Sequence, residues 1–194
     1  MNDNSLLPLL RSRTQGDLLA LLYLNPDKSF SITEAARRIG VSRPGLSQEA
    51  RRLRETGFIL SETDGRSNKI RANQESIISK PLTDLLTVTF GPVPVLNREF
   101  SGIKGIDIAY IFGSWAARYL GELGSVPVDV DVLVVGSADR DEMDMAAHRA
   151  ELILHREVNV RRVSAQTWES GDEAFLKTVR SSPLVQLTLN QTNK

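Results

Sequence analysis

Cysteine is absent from the 194 residues, which excludes disulfide staples, thiolate metal centres and a cysteine nucleophile, and leaves nothing that calls for an oxidising compartment. Histidine is scarce. His148 and His155 are the two, seven positions apart and without a third ligand at a recognisable spacing, so packing or surface roles are expected of them and not an imidazole metal site. No stretch approaches the roughly 18 uninterrupted apolar residues of a membrane-spanning helix. The opening Met1-Asn2-Asp3-Asn4 lacks a basic patch followed by a long apolar run, so neither a secretory signal nor a membrane partner is expected, and the reading is a cytoplasmic protein. Net charge is absent as well, with 24 basic residues balancing 24 acidic ones.

That balance conceals a polarity. Residues 1–80 carry 13 basic against 9 acidic side chains, and residues 81–194 carry 11 against 15. A basic first half suits a polyanion, and an acidic second half suits a domain that holds cations. With 41% hydrophobic and 25% charged residues the chain has apolar material for two small cores.

The first half places Leu18, Leu19, Leu21, Leu22 and Leu24 on one broad helical face, stopped by Asn25-Pro26. Ser31 with Glu34 forms a capping box that opens a short helix ending at Gly40, and Ser42 then caps a longer helix through Arg54. A short helix, a Gly-containing turn and a longer helix make a helix-turn-helix pattern, packed inward by Ala35, Ile39, Val41, Leu46, Ala50 and Leu53. The outward residues Arg43, Ser47, Gln48, Arg51 and Arg52, with Ser42 at the helix N-terminus, suit entry into a major groove of double-stranded DNA. Two short strands, Phe58–Leu60 and Lys69–Ala72, flank a polar loop with an Asp64-Gly65 hairpin signal, and Arg66, Lys69 and Arg71 make this wing basic. From about Arg13 to Asn73 these residues resemble the ArsR-like winged-helix family. The resemblance implies DNA binding.

Residues 76–90 carry Ile77, Ile78, Leu82, Leu85, Leu86 and Val88 at mixed helical spacing and are read as a connecting helix. In ArsR-like proteins such a helix often takes part in dimerisation, which implies a homodimer with two recognition helices; packing between the two domains is the equal alternative. Gly91-Pro92-Val93-Pro94 breaks the pattern. The domains expected are therefore a winged helix-turn-helix over 1–75, a connector over 76–91, a second domain over 92–189 and a polar, frayed tail over 190–194.

In the second half an apolar strand, Ile106 to Phe112, feeds Gly113-Ser114 at the start of a helical stretch. Glycine lets the backbone approach a phosphate, and the hydroxyl and free amides of the helix start bind its oxygens. Asp129-Val130-Asp131 then opens the strand Val132–Val135, and alternation sends both carboxylates to one face. Apposed carboxylates repel unless a cation lies between them, which points to Mg²⁺ or Mn²⁺ with a nucleoside triphosphate.

The run Ile111-Phe112-Gly113-Ser114, Ala117-Arg118 and Asp129-Val130-Asp131 resembles the signature of the minimal nucleotidyltransferases of the DNA polymerase β superfamily, over about Ile103 to Leu187. The resemblance implies a mixed sheet flanked by helices, phosphate contacts from Gly113, Ser114 and Arg118, and Asp129 and Asp131 as metal-holding catalytic residues beside Ser114. The fold class expected for the whole chain is α/β (α+β) in two domains.

Two features depart from that family. The segment Trp115 to Val128 is longer than in the shortest members. The third carboxylate, expected on the strand Arg156–Val163, is replaced by Asn159, an amide without charge and a poor base, and Glu157 two residues earlier on the same face is the alternative ligand. Arg-Glu-Val-Asn around it resembles a subgroup of winged-helix-fused nucleotidyltransferase-like proteins. Trp115 and Trp168 sit in amphipathic stretches where core packing is the commoner fate.

The residues leave three readings open. One is a DNA-binding transcriptional regulator whose second domain senses a nucleotide or keeps a vestigial site. Another is an active nucleotidyltransferase, moving a nucleoside monophosphate to a protein, small-molecule or nucleic-acid hydroxyl. The third is an interaction module, since minimal nucleotidyltransferases often pair with a small helical toxin-like partner in toxin–antitoxin systems.

Overall fold

The protein is described by a computed structural model over residues 10–64, 67–122 and 127–189. Its contacts separate two units, Met1–Pro94 and Val95–Lys194. The chain is mixed α/β: a winged-helix region comes first, and a sheet with flanking helices follows.

In the first unit Ser12 caps helix α1 (Arg13–Tyr23) by accepting from the Gln15 amide, and α1 buries Leu18, Leu19, Leu21 and Leu22. The stop at Asn25 has a physical cause: its side-chain amide is buried and donates to the Leu21 carbonyl at 2.9 Å, satisfying an oxygen of the last turn. A two-residue strand β1 (Phe30–Ser31) follows. Ser31 Oγ accepts from the Glu34 amide at 3.1 Å to open α2 (Ile32–Ile39), and Gly40, at φ +71°, closes it. Helix α3 (Arg43–Glu55) begins at the Ser42 cap and turns Leu46, Ala50 and Leu53 inward at i, i+4 and i+7. Strands β2 (Ile59–Asp64) and β3 (Ser67–Ala72) pair antiparallel, and β1 adds to β3, giving the order β1-β3-β2. The third strand was not legible in Phe30-Ser31, because two residues carry no period. Arg66 and the Gly65 turn position lie outside the described residues, as does the tail from Asn190.

Helix α4 (Ser79–Phe90) packs on α1, with Leu86 fully buried and Leu82 and Phe90 partly so. Gly91 is a single non-helical residue. The following prolines do not prolong the break, since Pro92 and Pro94 fall in the first turn of α5 (Pro92–Phe100), where a missing N–H goes unneeded.

The second unit is built on a four-stranded sheet. Strand β4 (Ile106–Phe112) leads into α6 (Gly113–Tyr119), and β5 (Asp129–Gly136) lies antiparallel to β4. Helix α7 (Arg140–Leu154) crosses over to β6 (Glu157–Val163), which runs parallel to β5. Two short helices, α8 (Ala165–Ser170) and α9 (Ala174–Ser181), precede β7 (Val185–Gln186) on the far side of β4, so the order is β6-β5-β4-β7. Alternation divides β5. Val130, Val132 and Val134 are fully buried on one face, while Leu133 and Val135 join Val163, Leu176 and Val179 in a core on the other. Asp129 and Asp131 belong to this second face, at the end of the strand that the apolar core leaves uncovered.

Candidate functional site

The first unit presents α3. Ser42 holds its N-terminus, its Oγ accepting from the Gly45 amide at 3.3 Å, and Arg43, Ser47, Gln48 and Arg51 are exposed along the helix. Leu46, Glu49, Ala50 and Leu53 face inward, so the outward stripe is the remainder of the helical period. Most of the cations expected at a groove are engaged within the protein. Arg51 pairs with Glu55 at 2.9 Å, Arg52 with Glu49 at 3.5 Å, and Arg71 on the wing with Glu62 at 3.1 Å. Arg43 has no ion pair among the described residues. Lys69 is half-buried on β3.

The second unit gathers the Gly-Ser turn and the acidic pair. Phe112 lies directly opposite Asp131 across the β4–β5 ladder, so Gly113 follows at the end of the row that Asp131 occupies. Gly113 sits at φ +72°, and a Cβ placed on it would be 2.7 Å from Asp131 Oδ2. Two requirements therefore coincide at this residue: a left-handed backbone and room for a carboxylate. Ser114, in the first turn of α6, is exposed. Arg118 is at the opposite end of α6, donating to the Glu122 carbonyl at 3.1 Å, and the structure does not bring it to the helix start.

Across the parallel ladder Asp129 faces Glu157 and Asp131 faces Asn159. Asn159 Nδ2 donates to Asp129 Oδ2 and to Asp131 Oδ1, both at 3.4 Å, so the amide bridges the carboxylates by its nitrogen. Its oxygen would reach a cation between them only after the amide turned over. Burial, followed by the charge of Asp129, pushes the Asp131 carboxyl above its ordinary value; the Asn159 hydrogen bond opposes this and Glu157 adds to it. The surplus of negative charge is what a divalent cation would relieve, so Asp129 and Asp131 fit such an ion. Among the described residues no group of three or more His, Cys, Asp or Glu side chains is arranged to hold a metal, and the residue opposite Asp131 contributes an amide.

The two tryptophans are packed. Trp115 is buried and stacked on Tyr119, and Trp168 meets Tyr110 at a tilt, beneath the Arg180 guanidinium. One charged residue on the carboxylate face was missed in the sequence: Arg161, two positions beyond Asn159 on β6. Strand alternation puts it on the same side of β6 as Asn159, and the parallel register with β5 puts that side on the carboxylate face.

A family model described as the MarR family matches residues 11–67. The N-terminal part of this chain is a MarR-family winged helix-turn-helix domain. The match falls on the ArsR-like region read from the sequence, and the two names describe the same arrangement of helices and wing. The chain is also similar to a riboflavin kinase of Pyrobaculum aerophilum, 32% identical over 92 residues, covering 47% of this chain and 41% of that protein. The chain thus spans less than half the length of that curated relative. Among solved structures it is similar to MepR, a transcription regulator of the Staphylococcus aureus multidrug efflux pump MepA, at 21% identity and a TM-score of 0.38, covering 44% of this chain and 62% of that one. Reduced HlyU from Vibrio cholerae matches at 22% identity and a TM-score of 0.37, over 45% of this chain and 86% of that one. No helix among the described residues is long and apolar enough to cross a membrane.

Proposed function

We propose that the chain is a DNA-binding transcription regulator whose second unit binds a magnesium-bound nucleotide in a nucleotidyltransferase-like site and passes occupancy to the grip on DNA. The DNA half of the reading rests on the MarR-family domain and on the exposed stripe Arg43, Ser47, Gln48 and Arg51 beside the capped start of α3. The observation that carries the nucleotide half is Gly113, whose missing side chain lets the helix start approach the Asp131 carboxylate. Phosphate oxygens at the Gly113 and Ser114 amides would then lie within reach of a cation on Asp129 and Asp131. The cation supplies charge neutralisation for the phosphates; the residues of the chain bind and orient them.

A homodimer accompanies this reading. Ile78 at the N-cap and Pro81, Leu85 and Val88 along α4 follow 3-4-3 spacing, and Ile78 at 37%, Leu85 at 41% and Val88 at 59% are exposed. A second copy of α4 is the occupant whose apolar stripe matches it in length, and two recognition helices would then address a two-fold operator.

The decisive experiment selects duplexes from a random pool with the full chain, then measures affinity for the selected site with and without Mg²⁺ and each nucleoside triphosphate. A chain that binds no duplex better than bulk DNA at moderate salt would sink the regulator reading. The active-enzyme reading is favoured by one observation, the row of Asp129, Asp131 and Glu157 on a single edge of the face. Its test is transfer of label from α-labelled triphosphates by the native chain and by Asp129→Asn/Asp131→Asn; label carried equally by both variants would eliminate it.

A further inference from the structure

Strand β6 and its approach carry three arginines, and the structure uses them differently. Arg156 donates to the Pro127 carbonyl and Arg162 to the Ala138 carbonyl, so both serve the backbone. Arg161 lies on the other side of the strand from Arg162, directly opposite Leu133, one step along the face from the Asn159–Asp131 pair. Its guanidinium lies over the Phe175 ring, 3.7 Å from the centroid. Phe175 in turn meets Phe112 edge-on at 5.7 Å, and Phe112 is the cross-strand partner of Asp131. The cation is thereby held over the Phe175–Phe112 aromatic pair, on the strand face that carries Asp129 and Asp131. Its ionic partner is Glu173 at 3.5 Å, and both side chains are about half exposed.

That arrangement is suited to exchange. A half-exposed pair at this distance is a weak contact, whereas a guanidinium offers a phosphate two parallel, charge-assisted hydrogen bonds. The Phe175 face preorganises the guanidinium, since cation–π contact fixes its plane without consuming its N–H donors. A polyphosphate held by one divalent cation keeps net negative charge, and Arg161 is a cation of this face whose partners among the described residues are an aromatic ring and a half-exposed carboxylate, not backbone carbonyls.

We infer that Arg161 is a phosphate-binding residue of the carboxylate face, kept in place by Phe175, with Glu173 as a counter-ion that the phosphate displaces. It receives a phosphate either of the nucleotide or of a phosphorylated acceptor. The inference rests on the nucleotide reading above.

The test uses the full chain and its variants Arg161→Gln, Arg161→Lys, Glu173→Gln and Asp129→Asn/Asp131→Asn. Calorimetry measures binding of Mg²⁺ with a non-hydrolysable nucleoside triphosphate. It then measures binding of glycerol phosphate, with glycerol as control, to the nucleotide-loaded protein. Loss of about tenfold or more in triphosphate affinity in Arg161→Gln, with a smaller loss in Arg161→Lys and none in Glu173→Gln, assigns the nucleotide phosphate to Arg161. The same pattern seen for glycerol phosphate alone assigns the acceptor. If Arg161→Gln binds both ligands within threefold of the native chain while the double aspartate variant loses the nucleotide, the inference fails and the nucleotide site stands. Equal losses in Arg161→Gln and Glu173→Gln make the pair structural and also overturn it. A native chain that binds no nucleotide ends both readings. Melting temperatures are expected to be unchanged in Arg161→Gln, an exposed strand position.

Discussion

Gly113 and Asn159 define what the second unit can hold. An alanine at 113 would suffer twice, from the positive φ and from a Cβ 2.7 Å from the Asp131 carboxylate. The backbone cost alone is about 1–2 kcal/mol. Gly113→Ala is therefore expected to lower the stability of the unit by about 1–3 kcal/mol and to abolish nucleotide binding; a variant that melts and binds as the native chain would show that the close approach is unimportant. Asn159 acts in the opposite sense. Its amide now bridges two carboxylates as a donor, and aspartate there would replace a hydrogen-bond donor with a third like charge. Asn159→Asp is expected to destabilise the metal-free protein and to raise Mg²⁺ or Mn²⁺ affinity at least tenfold. Denaturation with and without the ion checks both: stability that falls equally in the two conditions would mean that no cation is shared.

At the scale of elements, α4, α5 and α7 carry separable expectations. Leu85→Glu with Val88→Glu changes exposed positions, so folding should shift by no more than about 0.5 kcal/mol, while sedimentation should turn from dimer to monomer. An unchanged sedimentation coefficient would remove α4 from the dimer interface. On α5, burial by itself would push the Glu99 carboxyl up, but hydrogen bonds from Arg149 of α7 and from Arg98 outweigh it and hold Glu99 below its ordinary value. A folded-state pKa below the unfolded one stabilises the native unit above the unfolded value and loses that contribution as pH falls through the folded one. Arg149→Ala should therefore cost stability at neutral pH and progressively less in acid, with the two melting curves converging below the carboxylate range. Parallel curves at every pH would rule the ion pair out as the cause.

The same elements show what a sequence discloses. Helices α1, α2 and α3 were legible because caps such as Ser31 and Ser42 and apolar spacing agree with one another. Strands β4 and β5 were legible as apolar runs. Helix α5 was hidden behind prolines that sit in its first turn, and β1, at two residues, has no period to detect. The row Asp131–Asn159 depends on parallel register over a crossover, and so does the placement of Arg161. The distance of Arg118 from the Gly-Ser turn depends on a side chain choosing the Glu122 carbonyl. Neither kind of fact is written in local spacing.

For the whole molecule, the question is whether two units with separate cores act as one device. The arginines of the MarR-family domain are largely spent on internal partners, Arg51 on Glu55 and Arg71 on Glu62, so DNA must displace carboxylates to engage them. Duplex affinity should fall with salt less steeply than the number of arginines alone implies, because salt also loosens the internal pairs, and Arg43→Ala, which removes a cation with no ion pair among the described residues, should cost about 1–3 kcal/mol of discrimination for the selected site if it reads a base. If nucleotide occupancy changes duplex affinity by some factor, linkage requires the duplex to change nucleotide affinity by the same factor. We expect a factor of at least about five, typical of coupled sites, measured both ways, by anisotropy of labelled duplex against Mg²⁺-nucleotide and by calorimetry of nucleotide against saturating duplex. Asp129→Asn/Asp131→Asn should abolish the coupling while leaving duplex affinity at its nucleotide-free value. A chain in which both ligands bind but neither alters the other carries two independent functions on one polypeptide, and the regulatory reading of the second unit then fails although each site is real.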